Sequence, residues 1–537
     1  MTLGIDFGTT NSTVAYVRSI DDASHVIPSV QGKSVTPSFL TVKKEETLFG
    51  ENSFNRRMDF VDSTVWAVKR LLGRRFSDPV VQKLLPHFSF PVQGDEHDNI
   101  QIILGGHQYT PEDLTASYIQ RLYTTSMARF DGDVPKDCVI TCPARFDVRQ
   151  RQVLSDAYRV AGLNPIQVIN EPTAAAYYYL HKNPDIENRT LLVFDLGGGT
   201  LDVTVIKIEN SVPHEIATDG HSKLGGEDFD NAIAEWACEE IEEDYKIPEK
   251  WISSKQKLKL RGLIQDAKHQ LSDVSLPQTQ IQADFFFGNE DLELELSRFQ
   301  FDALVSPLVD QCMEKISSVL HTANLTKDNI DDVILVGGGS RVPLIRSRIT
   351  DFFGREPLRN LNEETIVVEG AAWVGRTKID DPNPGPTPTT ILGLALGTDN
   401  ESDVIHYFNK TDIKGNPTKL PVNRTLFFTN LEDNQDHVMV HIYQGSCNDE
   451  DSDVLQKTKS KCKGVCSSGQ NRLVNSFKVP ITPAPASSER VKVQFVINEE
   501  GLLTVYTKVR STGCEQTVKF DFQLSEEQIE EKRSAVR

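Results

Sequence analysis

Two stretches of this chain, almost two hundred residues apart, are near copies of one another. The first runs Gly4-Ile5-Asp6-Phe7-Gly8-Thr9-Thr10-Asn11-Ser12-Thr13-Val14-Ala15, the second Val193-Phe194-Asp195-Leu196-Gly197-Gly198-Gly199-Thr200-Leu201-Asp202-Val203-Thr204-Val205. Each reads as an apolar strand ending in Asp, a Gly/Thr turn, and a second alternating strand, which is the pattern of a β-hairpin with glycines where the backbone turns tightly. A single Gly-rich turn carries little information, because such turns are common in sheet proteins. Two matched copies, each with a carboxylate at the strand end, predict two facing loops that offer amides, hydroxyls and carboxylates to one ligand. Amides and hydroxyls cradle phosphate, and carboxylates hold a hydrated Mg²⁺. Gly197-Gly198-Gly199-Thr200 is not a dinucleotide fingerprint, since a strand follows it rather than a helix, and no Gly-Lys-Ser/Thr is present to make it a Walker loop.

A chain of 537 residues exceeds what one hydrophobic core supports, so two or three domains are expected. Its net charge of −20 argues against wholesale binding to nucleic acid or an anionic membrane. No apolar run reaches bilayer length, the first strand begins at Thr2-Leu3 with no room for a signal segment, and eight scattered cysteines suit a reduced compartment; a cytoplasmic protein is expected. Cys462 and Cys466, with Cys447 and Cys514, have poor spacing for a zinc site.

To about Thr377 strands and helices alternate, with buried strands at Val139 to Thr141 and Leu191 to Asp195. Helices are expected over Pro111 to Arg129, Val148 to Ala161 and Phe301 to Leu320. Helix starts are marked at Thr110-Pro111-Glu112-Asp113 and Asn170-Glu171-Pro172. From Asp380 to Pro388 the chain is Pro-rich and polar, a semi-rigid linker. Beyond it the pattern is all-β to about Gln523, interrupted from Cys447 to Gln470 by an insertion with an acidic start and a lysine-rich middle. Ser525-Glu526-Glu527-Gln528 is a capping box opening a helix.

Hydrolysis of a phosphoanhydride asks mainly for positioning and charge neutralisation. Asp6 and Asp195 fit as carboxylates around Mg²⁺, and Thr9, Thr10 and Thr200 as hydroxyls on phosphate or attacking water. Lys69, expected on an apolar helix in Trp66 to Gly73, offers a cation. Glu171, before Pro172 at a helix start, is also readable as an N-terminal helix charge and nothing more. Val333 to Val336 reads as a buried strand feeding a glycine loop at Gly337-Gly338-Gly339 and a helix, which either admits a flat base and ribose close to the backbone or is simply a tight strand-to-helix turn.

The chain resembles the seventy-kilodalton heat-shock chaperone family from Leu3 to about Glu527. The resemblance rests on Gly4 to Asn11, Lys69-Arg70-Leu71-Leu72-Gly73-Arg74-Arg75-Phe76, Ile169-Asn170-Glu171-Pro172-Thr173-Ala174-Ala175-Ala176, Phe194 to Asp202, Leu224-Gly225-Gly226-Glu227-Asp228-Phe229-Asp230, Glu432-Asp433-Asn434-Gln435 and Pro483-Ala484-Pro485. It implies an α/β actin-like, duplicated ribonuclease-H-like ATPase domain of two lobes (1–378), a linker (379–392), an all-β sandwich that binds extended apolar peptides (393–523) and the start of a lid helix (524–537).

By position, the resemblance implies Lys69, Glu171, Asp195 and Thr200 as the hydrolytic set and Asp6 with Asp195 as the Mg²⁺ shell. It implies ATP or ADP held by Gly8, Thr9, Thr10, Asn11, Gly197, Gly198, Gly199, Gly225, Gly226, Glu227, Lys268, Ser272, Gly338, Gly339, Ser340, Arg341 and Glu364. Pro143 and Arg151 match a relay between domains. Ile405, Phe428, Leu431, Val438, Val440 and Ile497 match a peptide cleft, against the ordinary reading of apolar strand residues as sandwich core. Implied partners are unfolded or nascent polypeptides, J-domain proteins and nucleotide exchange factors.

Departures are His269 and Glu364 near the adenosine, the extra glycine Gly339, a linker that lacks the family's leucine-rich acid-flanked segment, and no lid beyond Arg537. Without a lid, bound peptide should leave faster. An ATP-binding regulatory or ribosome-associated member with little turnover is the alternative. A sugar or acetate kinase on the same fold is disfavoured by the appended β-domain.

Overall fold

The computed structural model describes residues 2–18, 23–43, 46–130, 134–221, 223–380, 394–397, 403–408, 421–430, 432–445, 464–467, 471–498, 502–518 and 523–536. The proline-rich linker from 381 onward, Leu431 and all of the Cys447 to Gln470 insertion except residues 464–467 lie outside them.

Both near-copies form the expected hairpins. In the first sheet β1 (Leu3–Phe7) runs antiparallel to β2 (Asn11–Arg18), with Asp6 opposite Thr13, and β2 in turn to β3 (Ala23–Val26). On its other edge β1 pairs in parallel with β4 (Asp137–Cys142), which pairs in parallel with β5 (Asn164–Asn170). The parallel pairs need crossover helices. These are α1 (Pro111–Met127), opened by a Thr110/Asp113 capping box, and α2 (Val148–Val160), opened by an Asp147/Gln150 box. α3 (Glu171–Lys182) follows β5 directly, with Pro172 in its first turn where the missing amide costs nothing.

The second sheet repeats the pattern. β6 (Arg189–Leu196) pairs antiparallel with β7 (Leu201–Glu209), Asp195 opposite Asp202, and β7 with β8 (Val212–His221). On its other side β6 pairs in parallel with β9 (Asp332–Val336). Its core is closed by α4 (Gly226–Tyr245), α5 (Ser254–Leu271) and α6 (Arg298–Thr322), which bury Phe229, Ile264 and Phe301 completely.

α7 (Ile366–Asp380) joins the halves, lying on β1 and against α3. Small residues permit that approach: a methyl on Gly370 would meet the Ala174 carbonyl oxygen at 1.8 Å, and one on Gly4 the Val368 oxygen at 2.5 Å. Around this junction Ala174, Ala175, Ala371 and Ala372 are fully buried.

The C-terminal part is built of two antiparallel sheets. One has Leu394–Gly397 between Asp403–Phe408 and His437–Gly445, flanked by Gly464–Ser467 and Asn471–Pro480. The other orders Val422–Phe428, Val491–Ile497, Leu503–Val509 and Glu515–Val518. Val491, Val493, Phe495 and Ile497 are each 0% exposed while the residues between them are half-buried, which is period-two alternation. After them α8 (Glu526–Val536) starts at the expected Ser525/Gln528 box, whose amide and side-chain bonds measure 2.8 and 3.2 Å. It docks on α1 and α2: Lys532 donates to Asp113 at 2.5 Å, Arg159 pairs with Glu526, Arg533 donates to the Arg159 carbonyl at 2.8 Å, and Ile529 packs on Ala116, Ala157 and Val160. No helix among the described residues is long and apolar enough to cross a membrane.

Because the α3–α7 contact leaves no room for a side chain, Gly370→Ala should force the helices apart and destabilise the protein by about 1–3 kcal/mol. Urea unfolding followed by far-UV circular dichroism should show an earlier first transition, and an unmoved midpoint would mean the crossing relaxes freely.

Candidate functional site

The two Asp-led turns face one another. A methyl on Gly198 would lie 1.8 Å from Thr10 Oγ1 and 3.9 Å from Glu227 Oε1. Gly8 is equally crowded, its hypothetical methyl meeting the Asn11 carbonyl oxygen at 2.1 Å. In the second turn the Gly197 amide donates to the Thr200 carbonyl at 3.1 Å. A third loop supports it: the Gly226 and Glu227 amides donate to the Gly197 and Gly198 carbonyls at 2.9 and 2.7 Å, and Gly225 packs so closely that a methyl there would sit 2.5 Å from the Gly199 nitrogen. Thr10 Oγ1 is sealed from solvent with no hydrogen-bond partner among the described residues. A buried hydroxyl left without a partner carries a desolvation cost that a ligand can remove.

Behind the turns lies a buried charge cluster. Lys69 Nζ donates to Glu171 Oε1 at 2.7 Å, with the lysine side chain only 5% exposed. Asp6 Oδ1 accepts from Thr141 Oγ1 at 2.7 Å. Burial alone would lower the Lys69 pKa, but the carboxylates of Glu171 and Asp6 raise it above its usual value. Burial pushes Glu171 up despite Lys69, with Asp6 adding repulsion. Burial, then Glu171, Asp202 and Asp6 in turn, push Asp195 well above the ordinary carboxylate range. One lysine thus serves several acids, so the lysine stays charged while Glu171 and Asp195 are pushed toward their protonated forms. Asp6 and Asp195, led in from different sheets, feel each other across one site.

This donor set fits a hydrated divalent cation bound to polyphosphate. It provides two carboxylates at strand ends, a buried cation, an orphaned hydroxyl and two turn glycines, Gly8 and Gly198, each pressed against a neighbouring oxygen. A positive ion beside Asp6 would relieve the repulsion that raises Glu171, Asp195 and Asp202.

Lys69 does not stand on a helix of any length. Val68–Arg70 is a single 3-10 turn, entered through Ala67 in a left-handed conformation (φ 53°) and left through Gly73 (φ 66°). The apolar spacing of Trp66 to Gly73 reflects burial on both sides of a tight turn, not a helical face. Its neighbour Arg70 was not singled out from the sequence, although it belongs to the same motif. Arg70 pairs with Glu227 at 3.0 Å, and its Cζ lies 3.0 Å from where a Gly199 methyl would stand.

The expected adenosine residues gather beside the turns. Lys268 Nζ donates to the Gly226 carbonyl and pairs with Asp230, at 2.8 and 2.7 Å. Ser272 Oγ donates to the Lys268 carbonyl of its own helix at 2.9 Å. After β9, Gly337 takes φ 79°, its amide bound to the Glu363 carbonyl at 2.8 Å, and Gly338–Arg341 forms a 3-10 turn. Ser340 is buried, donating to the Gly337 carbonyl at 2.7 Å, and a Gly339 methyl would strike the Leu196 oxygen at 2.8 Å. Arg341 pairs with Glu364 at 3.2 Å. Burial, then Lys268, depress the pKa of His269.

The pair Pro143 and Arg151 leads away from the cluster. Arg151, 5% exposed, donates to Asn170 Oδ1 at 2.6 Å, and Asn170 Nδ2 donates to both Glu215 carboxylate oxygens at 3.0 and 2.9 Å. Thr173 also donates to Glu215. Asn170 precedes Glu171 and Glu215 lies on β8, so the chain of bonds ties the first sheet's helices to the second sheet. Thr141, Asn170, Asp202 and Glu215 escaped the sequence reading; only the strand-end position of Thr141 and Asn170 could have pointed to them.

Of the expected cleft residues, Phe428, Val438, Val440 and Ile497 are buried together in the core of the C-terminal sheets. Ile405 pairs with Val465 through the backbone. Leu431 is outside the described residues.

Comparison with known proteins agrees over nearly the whole chain. A family model described as Hsp70 protein matches residues 2–535. A heat shock 70 kDa protein of Neurospora crassa is 33% identical over 98% of this chain and 79% of its own length. A chaperone protein DnaK of Psychrobacter cryohalolentis is 32% identical with the same coverage.

Asp202 offers a check on the charge cluster. Burial lifts its carboxyl from 3.8 to about 6, opposed by Arg145 and Lys69. A carboxyl raised in the fold adds stability that is complete below its unfolded pKa and gone once pH has risen through the folded one. Asp202→Asn should therefore flatten the fall in stability of the nucleotide-free protein between pH 4 and 6, by roughly 3 kcal/mol at most. Thermal melts across that range in the absence of Mg²⁺ measure it, and parallel wild-type and variant profiles would count against the crowded-acid account.

Proposed function

This chain belongs to the Hsp70 family, and from that premise we propose that its two glycine turns close from opposite lobes on Mg²⁺-ATP and hydrolyse it. Family membership makes it an ATP-dependent chaperone that binds unfolded polypeptides. The observation that carries the proposal is the meeting of Gly198 with the unpartnered Thr10 hydroxyl above the cluster of Asp6, Lys69, Glu171 and Asp195.

Bound Mg²⁺ supplies charge neutralisation on the transferring phosphoryl group. The remaining work falls to side chains. Lys69, kept protonated by Glu171 and Asp6, presents its ammonium to the phosphate oxygens. Glu171 fixes that ammonium through its 2.7 Å bond. Thr141 orients Asp6. Asp195 would act in its ionised form, which neutralisation of the surrounding negative charge favours, and accept the proton of the attacking water as the water oxygen bonds to phosphorus and the bond to the β-phosphate breaks. Thr10 and Thr200 hold phosphate or water. Lys268, Ser272, Gly338, Ser340, Arg341 and Glu364 would frame the adenosine.

The architecture behind this reading is a duplicated, actin-like ATPase spanning 1–378, with a linker at 379–392. A β-sandwich at 393–523 and the opening of a lid helix at 524–537 follow. The recurrence of an antiparallel hairpin flanked by a parallel strand in both sheets supports the duplication. Peptide capture would use strand addition together with the apolar residues Ile405 and Leu431, while Phe428, Val438, Val440 and Ile497, buried in the sandwich core, would line a groove only where the sheets open. Coupling between the parts is favoured by α8 seated on α1 and α2, because Asp156 accepts from the Leu524 amide at 3.2 Å one helical turn from Arg151. J-domain proteins and nucleotide exchange factors complete the set of proposed partners, in the cytoplasm.

Lys69→Ala should lower single-turnover ATP hydrolysis by on the order of a hundredfold while leaving nucleotide binding largely intact. Wild-type protein that binds ATP and never turns it over would instead support a regulatory, ribosome-associated role.

A further inference from the structure

Beside the nucleotide turns, a second cleft opens between the lobes, which shares only Glu227 with the nucleotide contacts implied above. It holds about 410 Å³ of empty space, a figure that includes open solvent, so it is a shallow surface cleft rather than an enclosed pocket. The first lobe contributes Trp66, Arg70, Lys83, His87 and Phe88, the second Lys223, Glu227, Asp228 and Arg261. None of the turn residues Gly8 to Asn11 or Gly197 to Thr200 lines it. The Arg70–Glu227 ion pair stands between the cleft and Gly198–Gly199.

Four permanent cations line this cleft in a chain of net charge −20. Both carboxylates are already engaged. Glu227 lies 3.0 Å from Arg70 and 3.9 Å from Arg261, and Asp228 accepts from the Gly225 amide at 2.8 Å. Lys83 and Lys223, on opposite lobes, have no carboxylate partner among the described residues. Burial, then Lys83 and Arg70, lower the pKa of Lys223; burial, then Arg261, lower that of His87. Four cations set against two carboxylates, Glu227 shared by Arg70 and Arg261 and Asp228 facing Lys223, leave an excess of positive charge that an anion would balance. Aromatic faces adjoin them: Trp66 and Phe88 meet edge to face at 5.6 Å, and the Arg261 guanidinium lies 4.8 Å above the Trp66 ring.

We propose that this cleft is a second anion site, bridging the lobes, that takes a polyphosphate group. Lys83 and Arg70 would hold it from one side, Lys223 and Arg261 from the other, and Trp66 with Phe88 would accept a ring if the polyphosphate carries one. An anion clamped by both lobes opposes their separation, so its occupancy slows release of whatever the turns hold. That kinetic consequence rests on the nucleotide reading above; the anion site itself does not.

The test uses the full chain saturated with Mg²⁺-ADP at fixed free Mg²⁺, titrated calorimetrically with tripolyphosphate. One further equivalent should bind, at least tenfold more weakly in Lys83→Ala/Lys223→Ala and more weakly as salt rises. Release of a fluorescent ADP should slow several-fold with tripolyphosphate in the wild type and not in the double variant. A second equivalent obtained with excess ADP alone would make the ligand nucleotide-borne, and one seen only with tripolyphosphate would make it a free polyphosphate. The double variant removes like-charge repulsion and should melt no lower than the wild type. No second equivalent, or equal binding by wild type and variant, overturns the site. If ADP itself fails to bind, the nucleotide reading falls, while tripolyphosphate titrated into the ligand-free proteins still decides between the two lysines and the turns.

Discussion

Everything in the proposed chemistry depends on one steric contact, the approach of the Gly198 backbone to the Thr10 hydroxyl. With only a hydrogen on Gly198, the two turns can share a single ligand; a methyl there would force the Thr10 hydroxyl to turn away or the turns to part. The contact exists because each turn sits at the end of a strand buried on both faces, and because α3 and α7 cross through glycine and alanine. Close packing at that crossing sets the distance between the lobes, and rigid cores transmit it to the turns. The small residues at the crossing and the glycines of the turns answer one geometric need at two depths of the molecule.

The same closeness explains the electrostatics. Bringing two strand-end aspartates together, with Glu171 and Asp202 beside them, gathers more negative charge than Lys69 can balance. Burial and mutual repulsion both favour the neutral acids until a cation arrives. Such a cluster is poor for stability and apt for binding a divalent ion, a compromise expected at functional sites. The bond chain Arg151–Asn170–Glu215 begins one residue from Glu171 and crosses to β8, and α8 rests on the helix that carries Arg151. Displacement of Glu171 would act on its chain neighbour Asn170 and, through the Arg151–Asn170 bond, on the helix against which the C-terminal helix rests. A functional coupling along these contacts needs a two-state element biased at both ends.

Much of this was legible in the chain because the decisive residues are local. Hairpins announce themselves through strand–Asp–Gly turns, helix starts through boxes such as Thr110/Asp113 and Ser525/Gln528, and the β-strands through alternation as in Val491 to Ile497. The Lys69 segment misled, since a doubly buried 3-10 turn imitates the spacing of an apolar helix. Residues whose role comes from distant partners stayed hidden: Thr141 reaching Asp6, Glu215 collecting Asn170 and Thr173, and Arg70 meeting Glu227 across 157 positions. No local period encodes such pairings. The lysines of the lobe-bridging cleft belong to the same class, unremarkable singly and informative only once folding has brought them together. Phe428, Val438, Val440 and Ile497 show the converse, for strand alternation alone cannot separate a sandwich core from a peptide groove.

The shared-ligand geometry is tested most directly by calorimetric titration of Mg²⁺-ATP into Gly198→Val, with the circular dichroism spectrum confirmed to match the wild type. A side chain at that point, 1.8 Å from Thr10 Oγ1, should hold the turns apart and weaken ATP binding by on the order of a hundredfold or more, as expected when several phosphate contacts are lost together. Wild-type affinity in the folded variant would mean that the two turns do not close on one nucleotide.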